Sequence, residues 1–182
     1  MNSKTLVLTI FVLSTLINFS FCEEEVENQN GTSKIVGGQI MEIEGAPYLV
    51  SLMLRGVHQC GGAIISNQWI LSAAHCLDST APTDYKVRTA SSRKSRGGTI
   101  FDVDKIIPHP GYSSATSDKD FLLIKLKKTI PFNDRQQVIK LPSGGKQIAD
   151  DTEVMTCGFG ETQNTMESNE FLRAVIVKVT NQ

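Results

Sequence analysis

The 182-residue chain reads as an all-β protein, and three observations carry that reading. Its apolar residues fall in short runs enriched in Val, Ile and Thr. Gly, Pro and Asn punctuate those runs. No segment sustains the apolar spacing of a long helix. Short strands at this spacing predict a sandwich or a barrel, and periodicity alone does not choose between the two.

The elements follow in order. Residues 1–22 read as a secretory signal peptide: a single Lys4, an apolar run from Leu6 to Phe21, then Cys22 just before Glu23-Glu24-Glu25. Ser14, Thr15, Asn18 and Ser20 interrupt the run, and it is short for a bilayer core of roughly 30 Å, so removal is expected rather than retention as an anchor. Residues 23–34 are acidic and polar, as in a short propeptide, and Asn30-Gly31-Thr32 is an N-glycosylation pattern within them. Strands are predicted at Tyr48–Leu54, Ala63–Ile65, Trp69–Leu71, Tyr85–Thr89, Thr99–Ile107, Phe121–Leu126, Glu153–Thr156 and Leu172–Thr180, with at most a brief helical turn over Ala73–Asp78. Arg93-Lys94-Ser95-Arg96-Gly97-Gly98 is a basic, breaker-rich stretch expected to be a solvated loop, and a self-cleavage site in any protease that prefers basic residues. Pro142-Ser143-Gly144-Gly145-Lys146 is expected to be an interdomain linker.

Charge excludes some functions. Eighteen basic residues face nineteen acidic ones, and removing residues 1–34 leaves 16 against 15. That balance gives no electrostatic reason for nucleic acid or an anionic membrane as a partner. Once Cys22 leaves with the signal, Cys60, Cys76 and Cys157 remain. An odd count in a secreted chain implies an unpaired thiol, an intermolecular bridge or a lost partner, here at Cys157.

Three motifs carry chemistry. Lys34-Ile35-Val36-Gly37-Gly38 places a basic residue before an aliphatic one just after a leader. Cleavage there frees an α-amino group that is largely protonated near neutral pH. Cys60-Gly61-Gly62 leads through Leu71-Ser72-Ala73-Ala74-His75-Cys76, and Asp118-Lys119-Asp120 precedes the apolar run Phe121 to Leu126. His58 and His109 do not complete a zinc set with His75. The stretch from Tyr85 to Thr99 has too few carboxylates for calcium, and no metal or cofactor is called for.

Together these motifs resemble trypsin-like serine proteases of the chymotrypsin family, from Lys34 to Gln182. The resemblance implies a double β-barrel, the first barrel complete (about residues 35–145) and the second only begun (about 146–182). Within 35–182 it implies His75 as general base, a buried Asp120 that orients it, and zymogen cleavage between Lys34 and Ile35. It also implies a Cys60–Cys76 disulfide, closing a loop of about 15 residues worth roughly 3 kcal/mol. Phe121 stands where a smaller residue is common and is expected to be a packing variation; Asp118 and His109 receive no role. Thr156-Cys157-Gly158-Phe159-Gly160 resembles the turn that opens the second barrel.

The family's Gly-Asp-Ser-Gly-Gly segment is not in this sequence, and Ser143-Gly144-Gly145 lacks the preceding Gly-Asp. The chain as written is therefore expected to be an incomplete and inactive protease, with Val175, Ile176 and Val177 short of partners and only the first barrel folding well. The implied partners are protein or peptide substrates, an activating trypsin-like protease and protease inhibitors, for a monomer in the extracellular space. The alternative is a secreted, non-catalytic homologue that acts by binding proteins.

Overall fold

The computed structural model describes residues 38–144, 148–160 and 168–180. The expected signal peptide, propeptide, Asn30 and the Lys34–Ile35 bond lie outside them, as do Gly145 and Lys146 of the expected linker. Among the described residues the strands are β1 (Gln39–Ile40), β2 (Leu49–Leu54), β3 (Val57–Ile64), β4 (Trp69–Ser72), β5 (Tyr85–Thr89), β6 (Thr99–Pro108), β7 (Leu122–Leu126), β8 (Glu153–Gly158) and β9 (Arg173–Lys178). Only one-turn 3-10 segments interrupt them, at Ile43–Gly45, Ala74–Cys76 and Pro82–Asp84. No helix among these residues is long and apolar enough to cross a membrane.

Strands β2 to β7 close into a barrel in the order β2-β3-β4-β7-β6-β5, every neighbouring pair antiparallel. Closure gives every strand of the ring a partner on both sides, although β3 meets β4 only through Ala63 and Ile64. Alternation aims Val50, Leu52, Ile64, Ile70, Val87, Val103, Leu122, Ile124 and Leu126 into one core, with Phe101 and Tyr85 filling it. The β2–β3 hairpin turns on Arg55 and Gly56, both at positive φ (49° and 86°), the two-residue geometry whose twist matches paired strands.

The second layer is a three-stranded sheet, β1-β9-β8. The chain thus has a chymotrypsin-like all-β fold, one closed six-strand barrel and a partial second sheet. A smaller cluster of Ile43, Ala46, Leu49, Phe159 and Leu172 joins the two layers, with Leu49 of β2 contributing from the barrel side.

Two elements differ from the sequence reading. Residues 39–40 were expected in the first barrel, but Gln39 pairs with Ala174 and Ile40 with Arg173 of β9. Gly38 O also accepts from the Arg173 guanidinium at 2.8 Å. A two-residue strand has no alternation to read, so its sheet is set by the partner. Strand β3 starts six residues before the expected Ala63, because His58, Gly61 and Gly62 pair with β2 without any apolar pattern.

Candidate active site

Antiparallel pairing of β4 with β7 builds the site. Ser72, the last residue of β4, lies opposite Leu122, the first of β7. Chain leaving β4 and chain entering β7 therefore emerge at the same end of the barrel. His75 lies within the one-turn 3-10 segment Ala74–Cys76 that follows Ser72, and Asp120 precedes Leu122 by two positions. A long stretch of sequence separates the two residues, and the ladder brings them together.

The carboxylate of Asp120 grips His75 at two points. Oδ1 accepts the His75 backbone N–H at 2.8 Å, and Oδ2 lies 2.7 Å from the ring Nδ1. These hydrogen bonds, the ring's first, hold the Asp120 carboxyl below the usual carboxylate range. An ionised carboxylate only accepts, so Nδ1 carries a proton, and a neutral ring would keep its lone pair on Nε2. The His75 side chain is 61% exposed and that of Asp120 is 25% exposed. The aspartate is thus only partly covered, against the expectation of burial: its dry side is the turn at His75.

Local backbone sets both partners. Cys76, next to the histidine, is bonded to Cys60 of β3 (Cα–Cα 6.1 Å), which ties the turn to the barrel wall. On the other side, Ser117 and Lys119 take positive φ (52° and 54°), and Phe121 N–H donates back to Lys119 O at 2.8 Å. That tight turn aims Asp120 at the histidine. Phe121 is 57% exposed, so its size is accommodated by solvent and not by repacking of the barrel.

The remaining candidates fall elsewhere. Cys60, His75 and Cys76 place possible ligand atoms within 4.8 Å of one another, but both sulfurs are joined to each other and offer no thiolate. His109 Nδ1 accepts the Gly111 N–H at 3.0 Å, a turn contact. Asp118 O accepts from Ser113 N–H, so its backbone, too, serves the loop. Ser143 is exposed on the connection between the barrel and β8. Among the described residues no hydroxyl is hydrogen-bonded to His75 Nε2. Cys157 is a free thiol whose Sγ lies 3.6 Å from Tyr48 Oη, and burial with that contact pushes the tyrosine up to about 12.

The structure also holds a serine–histidine pair that sequence reasoning missed: Ser51 Oγ lies 2.7 Å from His58 Nδ1. Burial, aided by Lys94, lowers the His58 pKa to about 4, so the ring is neutral at physiological pH. Ser51 is 1% exposed and cannot meet a peptide, and the His58 and Phe159 rings meet in a T-shaped contact with centroids 5.6 Å apart. The pair is a junction between the barrel and the second layer. Its signal in the sequence, a serine a few residues before a histidine across a hairpin, is too common to find.

Comparison with known proteins bears on this geometry. The family model described as Trypsin matches residues 35–182. Trypsin 5G1 of Aedes aegypti is 38% identical over 152 residues, covering 83% of this chain and 57% of the relative. The Vitellin-degrading protease of Bombyx mori is 35% identical over 152 residues, covering 84% and 58%. Among solved structures, the scabies mite inactivated protease paralogue S-D1 superposes with a TM-score of 0.74 at 26% identity, covering 81% of this chain and 63% of that one. The chain therefore spans less than two thirds of the length of each of these relatives.

Proposed function

The chain belongs to the trypsin family, and from that premise we propose that it carries the histidine–aspartate half of a secreted, trypsin-like serine endopeptidase. In this reading residues 1–22 are a signal peptide, 23–34 an activation propeptide released by cleavage after Lys34, and 35–182 protease domain. The observation that carries it is the two-point grip of Asp120 on His75, with Nε2 left open. In peptide hydrolysis by this family, such an imidazole removes the proton of a serine hydroxyl and returns it to the leaving amine, while the carboxylate fixes the tautomer and stabilises the imidazolium. Backbone N–H donors then hold the oxyanion.

The 182-residue chain alone is proposed to be inactive, because its sequence contains no Gly-Asp-Ser-Gly-Gly and no described hydroxyl is held by His75. A second reading, a binding homologue without catalysis, is favoured by one observation: a structural neighbour is itself an inactivated protease paralogue.

Sequencing the transcript beyond the codon for Gln182 separates the two. An in-frame Gly-Asp-Ser-Gly-Gly supports the endopeptidase, and a stop codon supports the homologue. A fluorophosphonate probe should leave the 182-residue chain unlabelled; labelling would contradict its proposed inactivity. In a serine-bearing version, Asp120→Asn should cut kcat by about 10⁴-fold through the wrong imidazole tautomer, read in a peptide-hydrolysis assay. An N-terminus at Ile35 in the mature secreted product is the outcome expected for zymogen processing.

A further inference from the structure

The stretch from Arg93 to Gly98 connects β5 to β6 and presents three basic residues, Arg93, Lys94 and Arg96. Its outer surface is that of a solvated loop, exposed from Ser95 to Gly98. Its backbone is held from within. The Arg88 side chain, buried at 8% exposure, sends its guanidinium into the loop, where Nη1 donates to Gly97 O and Nη2 to Ser95 O at 2.9 Å. The Ser91 hydroxyl, also buried, lies 2.6 Å from Arg96 O and 2.8 Å from Arg93 O, and accepts the Arg93 N–H at 3.0 Å. The Arg88 guanidinium therefore holds the carbonyls of residues 95 and 97, and the one Ser91 hydroxyl proton is shared between those of 93 and 96. The turn that lets them converge needs glycine: Gly97 and Gly98 have φ of 73° and 64°. A Cβ at Gly98 would stand 2.0 Å from Thr89 O.

A strap from the second layer closes the loop from the other side. Lys94 N–H donates to Glu170 O at 3.0 Å and Leu172 N–H to Ser92 O at 2.8 Å. Ser95 Oγ donates to the Glu170 carboxylate at 2.6 Å, and the Arg93 guanidinium sits 4.4 Å above the Phe171 ring.

We propose that Arg93–Gly98 is a masked proteolytic modification site for a protease that cuts after basic residues. The bond after Arg96 is protected by Ser91, with Arg88 holding the carbonyls on either side, and the bond after Lys94 by the Ser51 hydroxyl on its carbonyl; both are uncovered when the 170–172 strap releases. Such a protease binds its target as an extended strand and polarises the carbonyl of the basic residue with its own N–H donors. Arg96 O already has a partner and faces inward, and the two residues after it are left-handed. Cleavage would add water across the Arg96–Gly97 amide: the carbonyl carbon takes hydroxide, the C–N bond breaks, and the products are a carboxylate on Arg96 and an ammonium on Gly97. The acting protease is a separate molecule, so the proposal does not depend on catalysis by this chain.

The test is limited digestion of the full chain with added trypsin, following by mass spectrometry the cut after Arg96 relative to the cut after the exposed Lys140. In the unaltered chain the Arg96 cut should be slower by at least about tenfold. Ser91→Ala removes one hydroxyl and should speed it about tenfold, as loss of a hydrogen bond worth that factor predicts. The strap variant Glu170→Ala with Phe171→Ala should do the same. Arg88→Met should have the larger effect; if it loosens the whole barrel, cuts after Lys86 and Lys125 will rise with it, and Ser91→Ala then decides. An Arg96 bond cut as fast as Lys140 in the unaltered chain overturns the proposal. So does a ratio unmoved by both Ser91→Ala and the strap variant.

Discussion

The closed barrel and the β8–β9 pair of the three-stranded sheet use strands of comparable length, yet they bury their apolar residues to very different extents. In the barrel Ile64, Ile70, Leu122, Ile124 and Leu126 are fully buried, because closure surrounds one face of every strand with the other five. In the sheet Ile176 is 58% exposed and Ile40 56%, with Val177 and Met155 also open. An apolar pocket of about 390 Å³ runs over this face, lined by Ile40, Met41, Met155 and Val175 among others. Strand chemistry alone does not make a core; the number of surfaces that can be brought against a strand does.

Substitutions sharpen this contrast, and the largest effect belongs in the barrel. Leu122→Ala should destabilise the chain by about 2–5 kcal/mol in denaturant unfolding, since a fully buried leucine leaves a cavity the closed wall cannot collapse. Next comes the Cys60→Ser, Cys76→Ser pair, expected to cost about 3 kcal/mol by the same measurement. It should also loosen the His75 turn, read as faster hydrogen exchange of the His75 amide that Asp120 now holds.

The pH dependence tests the seam between the two regions. His58 titrates near 4 in the folded chain against 6.5 when free, so the unfolded chain binds the extra proton first. Stability carried by the neutral ring is complete above pH 6.5 and drains away as pH falls from there toward 4. The midpoint of unfolding should follow that slope in the unaltered chain and lose it in His58→Asn. The smallest effect is expected on the open sheet: Ile176→Ala should change stability by no more than about 0.5 kcal/mol. A loss comparable to Leu122→Ala would show that the face is covered in solution and break the comparison.

Much of the fold is legible in the order of residues. Short apolar runs with glycine and proline breaks point to an all-β chain, and most barrel strands lie within a residue or two of their apolar runs. The exceptions share one cause. The first half of β3 is polar and glycine-rich, and β1 is two residues long, so neither carries the alternation that such reading depends on. The site divides in the same way. His75 and Asp120 stand out through the segments around them, whereas Ser51 with His58 shows only a spacing too common to single out, and Arg88 inside its loop has backbone carbonyls as partners.

The residue types the chemistry needs, and the strands that carry them, are local properties of the chain and can be read from it directly. Three features come only from the packing of distant segments. Gln39 and Ile40 leave the barrel for β9. The Asp120 carboxylate grips His75 at two points while staying partly open to solvent. The basic loop is closed by Glu170 and Leu172 of the second layer. Each depends on which distant groups meet, and that is settled by pairing register and barrel closure, which no single stretch of residues encodes.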